Sequence, residues 1–325
     1  MKRYLSILVG VVALSAAPTL SAQAPAKPHT LTPPDAMWGV VFDPAKIRTS
    51  ALAQHAMAHF DDGQREELNG RIDGFSNLLG LDLRRDLGHI VAFGYGLEPT
   101  DMALAVDIGQ AQTNIEGLLL ANEHYDSHEY GDLIVHSVQD NPDATRLFCA
   151  VMPGRGEQAG VMLLSPSRDR TERLVDQART GARVADPKAL LGDQFLRLWV
   201  DRIPDDFFAG QPRQSNIAGM IQSLEIVGTT GKTDSSVAVH VSLTNPARAR
   251  QLYQMAAGGK ALIELAAASD PDAEKLADLL AYVRVDQPPK GSNRLSITAS
   301  CDTQGLAAVL DLLEEAGAFE ELKLD

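Results

Sequence analysis

Histidines four residues apart are the most metal-like signal in this sequence. His55-x3-His59 (HAMAH) lies in a helical pattern, where side chains at i and i+4 share a face, so two imidazoles could meet one ion. His124 and His128 repeat the spacing in the polar run EHYDSHEY, among Glu123, Asp126 and Glu129. Brought together, the two pairs would make one metal site. A metal-binding protein or metal-dependent hydrolase is therefore one reading of the chain. The helical pair lacks the glutamate of HExxH, so a metalloprotease motif is not present. The plainer reading is a helix with one half-buried and one exposed histidine, and a polar surface loop.

Other reactive residue types find no setting. There is no G-x-S-x-G elbow and no S-x-x-K with its partner motifs. Ser165 and Ser167 follow a strand-like run but have no base in view. Gly94-Tyr95-Gly96 and the GTTGK of Gly228–Lys232 fall in turns between strands, whereas a phosphate-binding loop needs GxxxxGK[ST] between a strand and a helix. Asp205-Asp206 and Glu314-Glu315 read as helix caps or solvated surface, the usual place for carboxylates in an acidic chain. No residue is assigned a catalytic role, and no cofactor is called for.

Cys149 and Cys301 lie at or just after apolar strand-like runs, LFCAVM and RLSITASC. A bridge between them would join the two halves of the chain; the alternative is two unpaired, partly buried thiols. Trp38 and Trp199 each sit in the first strand of a half, and both read as core.

The elements that must position these residues follow from patterning. With 325 residues and 45% hydrophobic content, two domains of ordinary size can each bury a core. Aromatics are only 5%, so those cores are expected to be aliphatic. A strand is expected over MWGVVF, closed by Asp43-Pro44 as N-cap and first helical turn. Helical spacing continues to His59 and resumes from Gln64 to Leu79. Strands are expected at Ile90–Tyr95 and Met102–Ile108, a helix at Gln110–Ala121, and strands at Leu133–Val138, Arg146–Val151 and Gly160–Leu164. Their spacing suits an antiparallel meander.

The pattern then repeats. LEIVGTTG, SSVAVHVS and LTNPARARQLYQ follow the order of HIVAFGYG, DMALAVDI and GQAQTNIEGLL: two strands and a helix. A third match joins VMLLSPSRDRTERLVDQA to LSITASCDTQGLAAVLDLL. We therefore expect an α+β fold of two similar lobes from an internal duplication. Lobe 1 spans 36–182 and lobe 2 spans 190–325, each a mainly antiparallel sheet with helices packed on one face.

The N-terminus reads as a targeting segment. Lys2 and Arg3 precede the apolar run Tyr4–Ala17, and Ser21-Ala22-Gln23-Ala24 offers small residues for cleavage after Ala22 or Ala24. Residues 1–24 are thus expected to be a cleaved signal peptide, followed by a Pro-rich linker over 25–35. Losing Lys2 and Arg3 takes the net charge from −14 to −16. So acidic a surface repels nucleic-acid phosphates and anionic lipid.

The runs VVFDPAKI, DMALAVDI and NEHYDSHEYGDLIVHSV resemble those of a loose class of exported bacterial proteins to which no function is attached. The resemblance covers most of the mature chain and implies a periplasmic or secreted, soluble α+β fold. It carries no catalytic residues. The functional expectation is a non-catalytic binding or interaction module of the cell envelope. Its partner would be an envelope protein, or a small ligand held between the lobes, with no nucleic acid and no stable membrane insertion.

Overall fold

The computed structural model describes residues 36–50, 53–54, 57, 62–79, 82, 88–96, 98–109, 112–139, 141, 144–153, 160–179, 191, 194–201, 219–231, 234–302 and 305. It is a mixed α+β structure in which every registered strand pair is antiparallel. The described residues form two compact units. One holds 36–48 and 62–195; the other holds 49–57 and 196–305.

In the first unit, β1 (Trp38–Phe42) alternates half-buried and buried residues, as the MWGVVF pattern requires. Asp43 ends it and caps α1 (Pro44–Arg48): its Oδ1 accepts the backbone N–H of Ala45 at 3.0 Å. α2 (Asp62–Leu79) precedes β2 (Ile90–Gly94) and β3 (Met102–Gly109). α3 (Gln112–Leu120) follows, then the meander β4 (Asp126–Tyr130), β5 (Leu133–Val138), β6 (Leu147–Met152) and β7 (Gly160–Ser165), closed by α4 (Arg168–Arg179). The strand order is β1-β2-β3-β7-β6-β5-β4.

One cross-strand row sets this unit's core. Val41, Val91, Ala105, Leu163, Ala150 and Val135 are register partners in succession, all buried. Leu174 and Val175 of α4 are buried as well, and α4 lies on this face because its Glu172 bonds His128, the next residue of the row. α3 takes the opposite face, where Ile115 packs with Ile108, Cys149 and Val151. Helices thus cover both faces here, not the one face expected. The strands are apolar on each side of the pleat, so each side needs a cover.

A second difference is β4. The run EHYDSHEYGD, read as a loop, contains a strand joined to β5 by a two-residue turn with Gly131 at φ 65°. It is an end strand of its sheet, and both its faces are polar, so no alternation betrays it.

The second unit has the order β8-β9-β10-β12-β11, with β8 (Gln194–Val200), β9 (Ile221–Thr230), β10 (Asp234–Leu243), β11 (Val283–Asp286) and β12 (Arg294–Asp302). Asn245 caps α5 (Pro246–Ala266) by accepting the N–H of Arg248, with Pro246 at the first position. α6 (Pro271–Ala281) follows. Val241, Leu243 and Leu295 form the core with Ala249 of α5, flanked by Leu224, Val239, Leu252, Tyr253 and Ile297. The other side of β9, β10 and β12 carries Glu225, Thr229, Ser236, His240, Arg294 and Ser296. Of the run LSITASCDTQGLAAVLDLL, only Gly305 lies within the described residues after Asp302.

Candidate functional site

His55 and His59 lie outside the described residues. His124 follows α3, its backbone N–H donating to Asn122 Oδ1, while His128 sits on β4. His128 Nε2 lies 2.7 Å from Glu172 Oε1, the oxygen that also accepts Arg168 Nε at 2.8 Å. The bond from Arg168, and then that from His128, holds the Glu172 carboxyl below its usual range. A metal taking that nitrogen would have to displace Glu172. Among the described residues no three His, Cys, Asp or Glu side chains are placed to hold an ion.

The structure brings together ionisable residues that spacing did not single out. Two positions along from the buried row of the first unit, on the same face, stand Asp43, His89 and Asp107. His89 Nδ1 is 3.1 Å from Asp107 Oδ2 and its Nε2 is 3.5 Å from Asp43 Oδ2. The His89 backbone N–H also donates to Asp107 Oδ2, at 3.3 Å. Lys46 adds a cation 3.9 Å from Asp43 and donates to the Gln194 carbonyl. An acid–base histidine needs one nitrogen turned to a nucleophile or substrate and the other held by an orienting group. Here carboxylates take both nitrogens, so the imidazole ties β1, β2 and β3 together. An imidazole set between two carboxylates is a clamp; reaction chemistry would need one of them to move.

In the second unit, Glu225 is shared by two arginines. Arg197 donates from Nε and a terminal nitrogen to Oε1 at 3.0 and 2.7 Å, and Arg294 donates to Oε2 at 3.0 Å. The Arg197 side chain is only 7% exposed and Glu225 16%. Across from Glu225 on β10, His240 Nδ1 meets Ser296 Oγ at 2.9 Å. Burial, then the nearby Arg294 charge, pushes His240 below its ordinary pKa. The imidazole is therefore neutral near pH 7 and adds hydrogen bonding without charge.

No family model matches the chain, and no curated protein does. Among solved structures, crystal form III of TP0453 is 10% identical, covering 90% of this chain and 100% of that one, with a TM-score of 0.41. Crystal forms IV and I are each 9% identical with TM-scores of 0.40, covering 88% and 89% of this chain and 97% and 98% of the other.

The cysteines offer no reactive thiolate. Cys149 and Cys301 are both free and buried. Burial pushes the Cys149 thiol up to about 12 and that of Cys301 up to about 11.

The surface departs from expectation on α5. Met255, Leu262 and Leu265 are 55%, 68% and 73% exposed, and Leu276 of α6 is 44% exposed. The three on α5 lie on the side turned away from the sheet, since Ala249, Leu252 and Tyr253 face it. A surface helix ordinarily turns polar residues outward. From Met255 to Ala268 the exposed positions are Met255, Gly258, Ala261, Leu262, Glu264, Leu265, Ala266 and Ala268, so one charge interrupts an apolar face. The run LTNPARARQLYQ marks this helix in the sequence; its packing decides which residues are left outside.

Proposed function

We propose that this chain is an exported cell-envelope protein, periplasmic or secreted, that acts by holding another polypeptide and makes or breaks no bonds. The observation that carries the reading is the outward apolar face of α5, with Leu262 and Leu265 about seven-tenths exposed. Solvated large side chains in a row cost free energy that a protein partner recovers on docking. The chemistry-bearing clusters support the same reading: His89 is held at both nitrogens by carboxylates, and Glu225 is saturated by two arginines. Export rests on the segment Met1–Ala24.

A photo-activatable cross-linker placed at position 262 of the exported chain in cells tests this. A discrete adduct, lost in the same chain carrying Leu265→Glu, supports it. Absence of any discrete adduct would end it, as would substrate turnover by the purified chain that a point mutation abolishes.

Internal duplication accounts for the architecture. The order β1-β2-β3-β7 recurs as β8-β9-β10-β12, and a helix follows the third strand in both, α3 after β3 and α5 after β10. A single offset carries Val106 and Ile108, beneath α3, onto Val241 and Leu243, beneath α5. A crystal structure in which these four-strand cores did not superpose with those residues aligned would remove the duplication.

A further inference from the structure

We propose that the outward face of α5 pairs with the same face of a second copy of this chain, antiparallel, about a two-fold axis near Gly258 and Gly259. This rests on the reading of that face as a protein-binding surface and names its occupant. The argument is one of self-complementarity. A two-fold interface sets each residue of one copy against its counterpart at equal distance beyond the axis. With 1.5 Å of rise per residue, Arg248 stands about 16 Å before the midpoint of the two glycines and α5 ends at Ala266 about 11 Å beyond it; Asp270 follows one turn later, its backbone N–H bonded to the Ala266 carbonyl. Arg248 and Arg250 are exposed at the first end, and Asp270 and Glu274 are exposed at the second. Antiparallel pairing therefore places the arginines of each copy beside the carboxylates of the other, at both ends at once.

Between the charges the exposed face is mostly apolar, with Gln251, Gln254, Glu264 and Ser269 as its polar positions. Met255 falls opposite Leu262, and Leu265 opposite the stretch around Gln251, each twice by symmetry. At the centre, a Cβ added to Gly258 or Gly259 would meet nothing within 4 Å. Two helices can therefore approach closely where they cross. A parallel arrangement would instead oppose Arg248 to Arg248 and Asp270 to Asp270, which like charges forbid. The one charge on this stretch, Glu264, pairs with Lys260 at 3.9 Å, and Lys260 also donates to the carbonyls of Leu280 and Val283.

Sedimentation velocity on the mature full-length chain, over a wide concentration range, reads the association directly. A concentration-dependent dimer is expected, and Leu262→Glu, at a position too exposed to disturb the core, should abolish it. The decisive pair is R248E/R250E and D270R/E274R. Each alone places like charges at both ends and should be monomeric. Mixed together they restore opposite charges at both ends, and a heterodimer should form with affinity within about tenfold of the wild-type dimer. A wild-type chain that stays monomeric throughout overturns the proposal, as does a dimer indifferent to Leu262→Glu or a mixture that does not associate. The cross-linker at position 262 separates the two readings. An adduct of twice the chain mass supports self-pairing. A discrete adduct of any other mass keeps the protein-binding reading and overturns this one.

Discussion

The indole of Trp38 lies directly against Gly94, its register partner across β1 and β2, and takes the space a side chain there would need. A Cβ built on Gly94 would stand 1.9 Å from two atoms of that ring, and the ring nitrogen donates to the Gly96 carbonyl at 3.0 Å. The ring cannot retreat without losing that bond. Gly94→Ala is therefore expected to destabilise the chain by about 3 kcal/mol, the upper end of overpacking costs. Urea unfolding followed by tryptophan fluorescence measures it, and a midpoint unchanged from wild type would contradict this packing.

The shared carboxylate of Glu225 sets up an asymmetric mutational response. Glu225→Ala takes from Arg197, 7% exposed, the carboxylate to which it donates two hydrogen bonds and should cost about 3–5 kcal/mol. Arg294 is 34% exposed, so water can stand in for it, and Arg294→Ala should cost much less than the loss of Glu225. Replacing Arg197 and Glu225 together by Met and Leu should be milder than Glu225→Ala alone, because the buried cation is then removed along with the carboxylate it bonds. Chemical denaturation of the three variants decides the order.

Acid should destabilise the chain through His136 and His240. Burial lowers the pKa of both, against the opposing field of Glu116 at His136 and of Glu225 and Asp286 at His240. The unfolded chain therefore takes up these protons first, near the ordinary histidine value of about 6.5. Their contribution is fully present above that value and is lost as pH falls below it, down towards their lower folded values. Unfolding free energy measured from pH 7.5 to 5 should decline, and His240→Gln should flatten part of the decline. His136 Nδ1 bonds Tyr125 Oη at 3.0 Å, so Tyr125→Phe should perturb the His136 titration and leave His240 unaffected.

The thiols offer a check on each unit's integrity. With Cys149 pushed up to about 12 and Cys301 up to about 11 by burial, neither forms thiolate near pH 8. The native chain should resist a thiol reagent at that pH, and two thiols should react once it is unfolded in concentrated guanidinium without reductant. No thiol released on unfolding would show a bridge between Cys149 and Cys301.

Local chemistry wrote much of this protein plainly. The alternation of MWGVVF announced β1, Asp43-Pro44 announced the start of α1, LTNPARARQLYQ announced a helix where α5 stands, and the α+β composition followed from strands and helices that each carry their own period. Such signals act between residues a few positions apart, so they survive in a one-dimensional reading. β4 stayed hidden because an end strand with two polar faces has no period to display. Asp43 was visible only as a cap and His89 only as a residue before a strand; their meeting with Asp107 depends on the register of three strands. Glu225 meets Arg197 and Arg294 across 28 and 69 residues for the same reason. The apolar face of α5 is the sharpest case. Its sequence is Ala-rich and apolar on nearly every side, and packing against Val241, Leu243 and Leu295 selected which side would be buried. Leu262 and Leu265 were left outside by that choice, which depends on the shape of the sheet beneath the helix and on no residue of the helix alone.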